Sequence, residues 1–256
     1  MSIFVHPKQR PLLCIPVTGR SAEEVKAQVE AIVPLQPDLL EWRADFFENL
    51  GEQAEVLELL ETIHGLTSLP LLFTIRSERE GGEPIALSEE EKLDLLEAVC
   101  RSGKLTAVDY EVENEARFVE RISELARETG VELVLSYHHF TRTPATEELM
   151  ALGRRMEAYG ASVAKLAVMP ETREDVDRLL TFTRELDRAL EIPVITMSMG
   201  ELGVLSRVIG WAYGSVLTFA VGVESSAPGQ VPIRKLRRAI EAVQAVTGKE
   251  GFDRSL

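Results

Sequence analysis

The stretch VELVLSYHHFTRTPATEELMALGRRMEAYGASVAKLAVMP, residues 131–170, reads as strand, helix, strand. VELVLSYH (131–138) and SVAKLAVM (162–169) are short apolar runs rich in β-branched, leucine and aromatic residues. That is the composition and length of buried strands. The same unit recurs in both directions. Upstream lie LLCIPVT (12–18), LLEWRAD (39–45), PLLFTIR (70–76) and KLTAVDYEV (104–112); downstream lie PVITMSM (193–199) and SVLTFAVG (215–222). Amphipathic segments separate them. Ser21 with Glu24, Ser88 with Glu91, and Thr172 with Asp175 have the spacing of N-terminal capping boxes. Bodies such as EEKLDLLEAV and DVDRLLTFTRELDRAL put apolar residues at helical spacing, with charged faces outward.

Strands alternating with helices about every thirty residues predict parallel βαβ units. Eight of them match an α/β (β/α)8 TIM barrel, expected as one catalytic domain over residues 1–256. An open doubly wound sheet is the competing architecture. Its dinucleotide fingerprint, G-x-G-x-x-G, is missing from the first turn, VTGRSAEE, and no G-x-x-x-x-G-K-[ST] loop occurs.

The chain has 256 residues, 28 Lys+Arg against 42 Asp+Glu, a net charge of −14 and 45% hydrophobic residues. Mean hydropathy is −0.01. This is an ordinary globular balance, which excludes disordered and collagen-like classes. The acidic surplus argues against nucleic acid and against an anionic membrane surface as partners. It leaves room for an anionic small molecule held by local arginines. Cys14 and Cys100, both in apolar surroundings, are expected to be buried thiols. No targeting segment or long apolar span is legible, His6 and His64 look incidental, and a cytoplasmic location is the expectation.

In a barrel the active site gathers at the C-terminal ends of the strands. Here those ends are charged. Period-two alternation places Glu41, Arg43 and Asp45 on one face of the second strand, with Trp42 on the other. The third strand ends in Arg76, the fourth carries Asp109 and Glu111, and the fifth ends in Ser136-Tyr137-His138-His139. Charges inside a barrel are costly unless paired or solvated, so they mark an ion-pair layer, a site, or both. Lys165 alone among the lysines sits mid-strand in an apolar run. Burial disfavours an ammonium, and a neutral amine attacks ketones and aldehydes to give a Schiff base. The bland alternative is a lysine paired with Asp109 or Glu111. His138 closes the neighbouring strand, with a basicity suited to moving protons near neutral pH. A hydrogen-bonded structural histidine is its alternative. His139 has the opposite parity and should face outward.

With those residues in hand, the chain resembles the type I 3-dehydroquinate dehydratases of the shikimate pathway. The resemblance rests on LLEWRAD (39–45), FTIRSEREGGE (73–83), VDYE (108–111), SYHHF (136–140), AKLAVMP (164–170), ITMSMG (195–200), LSRVIG (205–210) and SSAPGQ (225–230), in family order across nearly the whole chain. It implies a (β/α)8 barrel, usually a homodimer, that converts 3-dehydroquinate to 3-dehydroshikimate without a metal or diffusible cofactor. By this resemblance Lys165 forms an imine with the C3 ketone. His138 takes the C2 proton and donates to the departing C1 hydroxyl, and Glu80 orients the histidine. Arg207 matches the residue that binds the substrate carboxylate, a task suited to a guanidinium fork. Glu41, Arg43 and Arg76 match ring-hydroxyl contacts. Ser226 and Gln230 match a loop that closes over substrate. Phe219, Met197 and Met199 would form apolar walls, with Asp109 and Glu111 as the acidic pair near the lysine.

Two positions depart from the pattern: His139 stands where some members have an acid, and Pro16 where some have a serine. Two other functions compete. A Schiff-base aldolase on the same barrel would want a glycine-rich phosphate site after strands seven and eight; Arg207 and the SAPGQ loop suit a carboxylate better. A catalytically dead metabolite sensor should have lost Lys165 or His138, and both are present. A place beside other enzymes of the pathway in a complex is a third possibility, although no fused second domain is visible before the chain ends at GKEGFDRSL.

Overall fold

Period-two alternation builds the molecule from the inside. A computed structural model describes residues 2–4 and 10–247; His6 lies outside them. Strands β1 (Leu12–Val17), β2 (Leu39–Arg43), β3 (Leu71–Thr74), β4 (Ala107–Glu111), β5 (Glu132–His139), β6 (Val163–Val168), β7 (Val194–Ser198) and β8 (Leu217–Val221) are parallel. Their order around the sheet follows the sequence from β1 to β7, and β8 returns to pair with β1. Between β7 and β8 the ring closes through one bridge, Val194 to Ser215, with Val216 N donating to Val194 O at 2.9 Å. The result is the expected (β/α)8 barrel. A two-residue strand not foreseen, β9 (Val231–Pro232), adds to β8.

The helices are α1 (Ala22–Ile32), α2 (Gln53–Leu66), α3 (Glu89–Arg101), α4 (Ala116–Thr129), α5 (Thr146–Ala158), α6 (Arg173–Ala189), the short α7 (Val204–Ile209) and α8 (Ile233–Thr247). Ser21 caps α1 by accepting from Glu24 N, and full capping boxes start α3 and α6. Each cap contributes roughly 1 kcal/mol by satisfying an otherwise orphan amide.

Alternate strand residues face two different cores. Leu13, Ile15, Leu40, Trp42, Leu135 and Leu166 pack outward against the helices. Cys14, Leu39, Leu72, Ala107, Val134, Val163, Ile195 and Leu217 fill the barrel's interior, where Phe4 joins them. Two residues further along the same inward faces come Glu41, Asp109, Ser136, Lys165, Met197 and Phe219. The inward face thus changes from apolar to charged toward the C-terminal ends. Both cysteines are free and buried, and burial pushes the Cys100 thiol up to about 12. Among the described residues no helix is long and apolar enough to cross a membrane.

Candidate active site

Those charged ends open into a cavity of about 460 Å³, continuous with solvent. Parallel pairing puts Lys165 beside Ser136, and His138 beside Ala167. Lys165 and His138 therefore project inward from neighbouring strands, two positions apart along the barrel axis.

Lys165 is 3% exposed. Its Nζ donates to Asp109 Oδ2 at 2.9 Å, lies 3.8 Å from Glu41 Oε1, and stands 4.8 Å over the Phe219 ring. Asp109 is itself held: Arg76 donates to its Oδ1 at 2.7 Å and Ser136 Oγ at 2.6 Å. Burial alone would raise this carboxyl. Arg76 and Lys165 overcome that and hold it far below the ordinary carboxylate range.

On the adjoining side, Glu80 sits at the end of a 3₁₀ turn whose first residue, Glu78, follows the cap Ser77. One oxygen, Oε2, accepts the backbone N–H of His138 at 3.0 Å and faces ring Nδ1 at 2.9 Å. That contact fixes the ring, and with Nδ1 carrying hydrogen it leaves Nε2 free to accept a proton. Burial, with the Glu111 charge nearby, pushes the Glu80 carboxyl up to about 8 against the opposing pull of Arg76. Burial, then the Arg76 and Lys165 charges, hold the His138 imidazole well below its usual value. Near neutral pH the imidazole is uncharged and able to accept a proton. Once protonated, it is a ready acid.

Arg207, on α7, is 2% exposed. Its NH2 donates to Pro228 O at 3.0 Å and its NH1 lies 3.8 Å from Met197 Sδ. Its Nε has no partner among the described residues. Burial unrelieved by a facing acid lowers this guanidinium to about 10. An unmatched buried cation of this kind favours an anionic ligand.

The turn before β9 lies over the same opening. Ser226 N donates to Gln230 Oε1 at 3.0 Å, and Gln230 Nε2 donates back to Ser226 Oγ at 3.1 Å. Gly229 has φ +76°, and a Cβ there would come within 2.2 Å of Gly200 O. A side chain would prevent this approach.

A family model described as type I 3-dehydroquinase matches residues 13–247. The chain belongs to the type I 3-dehydroquinase family. A 3-dehydroquinate dehydratase of Geobacillus thermodenitrificans is 47% identical over 243 residues, covering 94% of each chain. The crystal structure of 3-dehydroquinate dehydratase from Geobacillus kaustophilus superposes with a TM-score of 0.92 at 47% identity, covering 93% of each chain. A type I 3-dehydroquinate dehydratase from Clostridium difficile, solved with covalently modified comenic acid, gives a TM-score of 0.89 at 33% identity, covering 93% of this chain and 94% of that one.

In this type I 3-dehydroquinase the nine residues expected from the sequence to be catalytic or substrate-binding line the same cavity, while Asp109 and Glu111 lie behind its wall. Lys165, His138 and Glu80 meet Glu41, Arg43, Arg76, Arg207, Ser226 and Gln230 there, with Phe219, Met197 and Met199 as apolar wall. The details differ at three points. β2 ends at Arg43 and Asp45 falls in a 3₁₀ turn, so strand alternation does not place it. Asp45 does not line the cavity. It grips Arg43 through two bonds of 2.8 Å and accepts the amides of Arg76 and Glu83. Arg76 lines the cavity, but its guanidinium is spent on Asp109, Glu111 and Ser136. Glu111 reaches Lys165 only through that arginine. His139 points away, as parity requires, and its Nδ1 accepts from Thr141 N and Arg142 N at 3.4 and 3.3 Å.

Sequence reasoning missed Phe140, a cavity wall whose ring packs on Gly81, where a Cβ would lie 2.3 Å from it. Its only sequence signal is an aromatic directly after the polar end of strand five; that it meets Gly81 is set by the fold. Ser136 was quoted only as part of a strand end and given no role. No group of three or more His, Cys, Asp or Glu among the described residues could hold a metal ion.

Proposed function

We propose that residues 1–256 form one catalytic domain that dehydrates 3-dehydroquinate to 3-dehydroshikimate in the shikimate pathway, through a Schiff base on Lys165. The observation that carries this reading is one cavity holding a buried amine, a largely buried imidazole fixed by a carboxyl, and a buried arginine with no acid facing it. An amine, an acid–base group and an anion site are what a carbonyl-dependent elimination from a carboxylated ring needs.

The Lys165 amine adds to the C3 ketone, and water leaves to give the imine. The imine accepts the electron pair as His138 removes the C2 proton. The C1 hydroxyl then departs, taking a proton from the His138 imidazolium, as a second water. Hydrolysis of the imine returns the lysine and releases product. Arg207 grips the ring carboxylate, with Glu41 and Arg43 on the ring hydroxyls and Ser226 and Gln230 closing over the opening. Arg76 lies on the same wall, and ring hydroxyls can share it with its acids. That the Clostridium difficile relative was solved with covalently modified comenic acid supports a covalent step in this family. The acting unit is a homodimer in the cytoplasm.

The test is borohydride reduction in the presence of 3-dehydroquinate, followed by intact mass and peptide mapping. A stable adduct on Lys165, missing in Lys165→Met, is the expected result. A folded parent protein that gives neither adduct nor the ultraviolet absorbance of a conjugated product would overturn the reading.

A further inference from the structure

Asp109 presents a difficulty for the proposed chemistry. A carboxylate 2.9 Å from Lys165 Nζ stabilises the ammonium, yet imine formation needs the free amine. The other carboxylate oxygen shows how the grip is moderated. Oδ1 receives two donors, Arg76 NH2 at 2.7 Å and Ser136 Oγ at 2.6 Å. Ser136 is fully buried on β5, directly beside Lys165 in register, and does not line the cavity.

The direction of the Ser136 bond follows from its neighbours. Its oxygen accepts from Arg76 NH1 at 2.9 Å, and an arginine cannot accept in return. The single hydroxyl hydrogen then has Asp109 Oδ1 at 2.6 Å or Tyr110 O at 3.4 Å to choose from, and the shorter contact takes it. Ser136 therefore relays the Arg76 cation onto the far oxygen of Asp109 and draws negative charge away from Oδ2, the oxygen facing the lysine.

We propose that Ser136 is a positioning residue for the Schiff-base step: through Asp109 it fixes how tightly the Lys165 nitrogen is held as an ammonium. The proposal rests on the imine reading above. Other charges bear on the same lysine. Glu41 on β2 lies 3.8 Å away, Arg76 just after β3 acts through Asp109, and Glu111 on β4 balances Arg76. His138 on β5 and Glu80 after β3 form the adjoining pair, with Arg43 on β2 a further positive charge near the imidazole. Removing the serine hydroxyl leaves all of these groups in place; of them Arg76 loses a contact, and its NH1 keeps Glu111.

Without that hydroxyl, Asp109 keeps Arg76 but loses a donor. More of its charge falls on Oδ2, and the ammonium is favoured. The experiment measures the rate of borohydride-trapped adduct formation with 3-dehydroquinate across pH for the parent, Ser136→Ala, Ser136→Cys and Ser136→Thr, with KM measured alongside. Ser136→Ala should trap about tenfold more slowly near neutral pH, the scale of one hydrogen bond to a charged group, with its acid limb moved to higher pH and KM unchanged. Ser136→Cys keeps the shape with a weak donor and should follow alanine, so it carries the test if alanine does not fold. Ser136→Thr restores the hydroxyl and should restore the parent profile. A parent-like pH profile in Ser136→Ala or Ser136→Cys, or a loss confined to KM, would overturn the proposal while leaving the imine intact. A parent that gives no adduct at any pH takes down both.

Discussion

Glu80 occupies the most strained electrostatic position of the cavity. It is buried beside Glu111, and Arg76 and Arg79 oppose the rise of its carboxyl to about 8. Its ordinary value is near 4.5. Between those two values the unfolded chain gives up this proton while the folded chain keeps it. The group's stability contribution is thus full below pH 4.5 and is lost as pH rises through 8. Glu80→Gln removes that dependence. Its melting temperature should equal the parent's near pH 4.5 and exceed it by several degrees above pH 8, on the scale of roughly 1–3 kcal/mol for such a shift. Turnover should fall in the same variant, because the imidazole loses its carboxyl partner. Thermal melts from pH 4.5 to 9 check this. A constant offset across that range would rule out the buried carboxyl as its source. The residue that costs the fold stability is the one that holds the His138 ring in place.

At the scale of elements, the turn from Glu224 to Gln230 and the short α7 act as one unit. Pro228 O accepts from Arg207 and from Gly200 N, so the turn, the end of β7 and the buried Arg207 are tied together. Gly229 permits this by its positive φ and its bare approach to Gly200. Gly229→Ala should lift the turn. We expect kcat/KM to fall about tenfold with the melting temperature within about 2 °C of the parent, the strain being relieved by an exposed loop rather than by the core. Steady-state kinetics beside a thermal melt separate the two effects. The elements themselves were largely readable. Helix starts at Ser21, Ser88 and Thr172 carry their capping chemistry in the sequence, and strand parity put Glu41, Arg43, Lys165 and His138 on the inward face. What escaped reading depends on where a strand stops and on which acids share one arginine. Asp45 leaves β2 one turn early, and Arg76 is claimed by two acids and a serine from other strands. No spacing rule encodes either, because both are set by long-range packing. Phe140 belongs to the same class, since its partner glycine lies in a different loop.

For the molecule as a whole, the ring of strands is not uniform. From β1 to β7 each neighbour is joined by a ladder, and β8 is laddered to β1, but β7 meets β8 through a single bridge at Val194 and Ser215. Amide exchange should report it. The Val216 N–H, which closes that bridge, should exchange at least about tenfold faster than amides of β5 and β6, because few neighbouring bonds must break with it. Equal protection around the ring would refute a weak seam. The segment that crosses the seam, residues 199–216, carries Arg207, whereas Lys165 and His138 stand on β6 and β5, each laddered to both of its neighbours. A barrel stitched in this way has one compliant direction. Widening the slit would carry Arg207, the proposed carboxylate grip, away from Lys165 and His138 and leave the spacing of those two unchanged. On the proposed chemistry, departure of product would then be a motion that the Lys165–His138 pair does not feel.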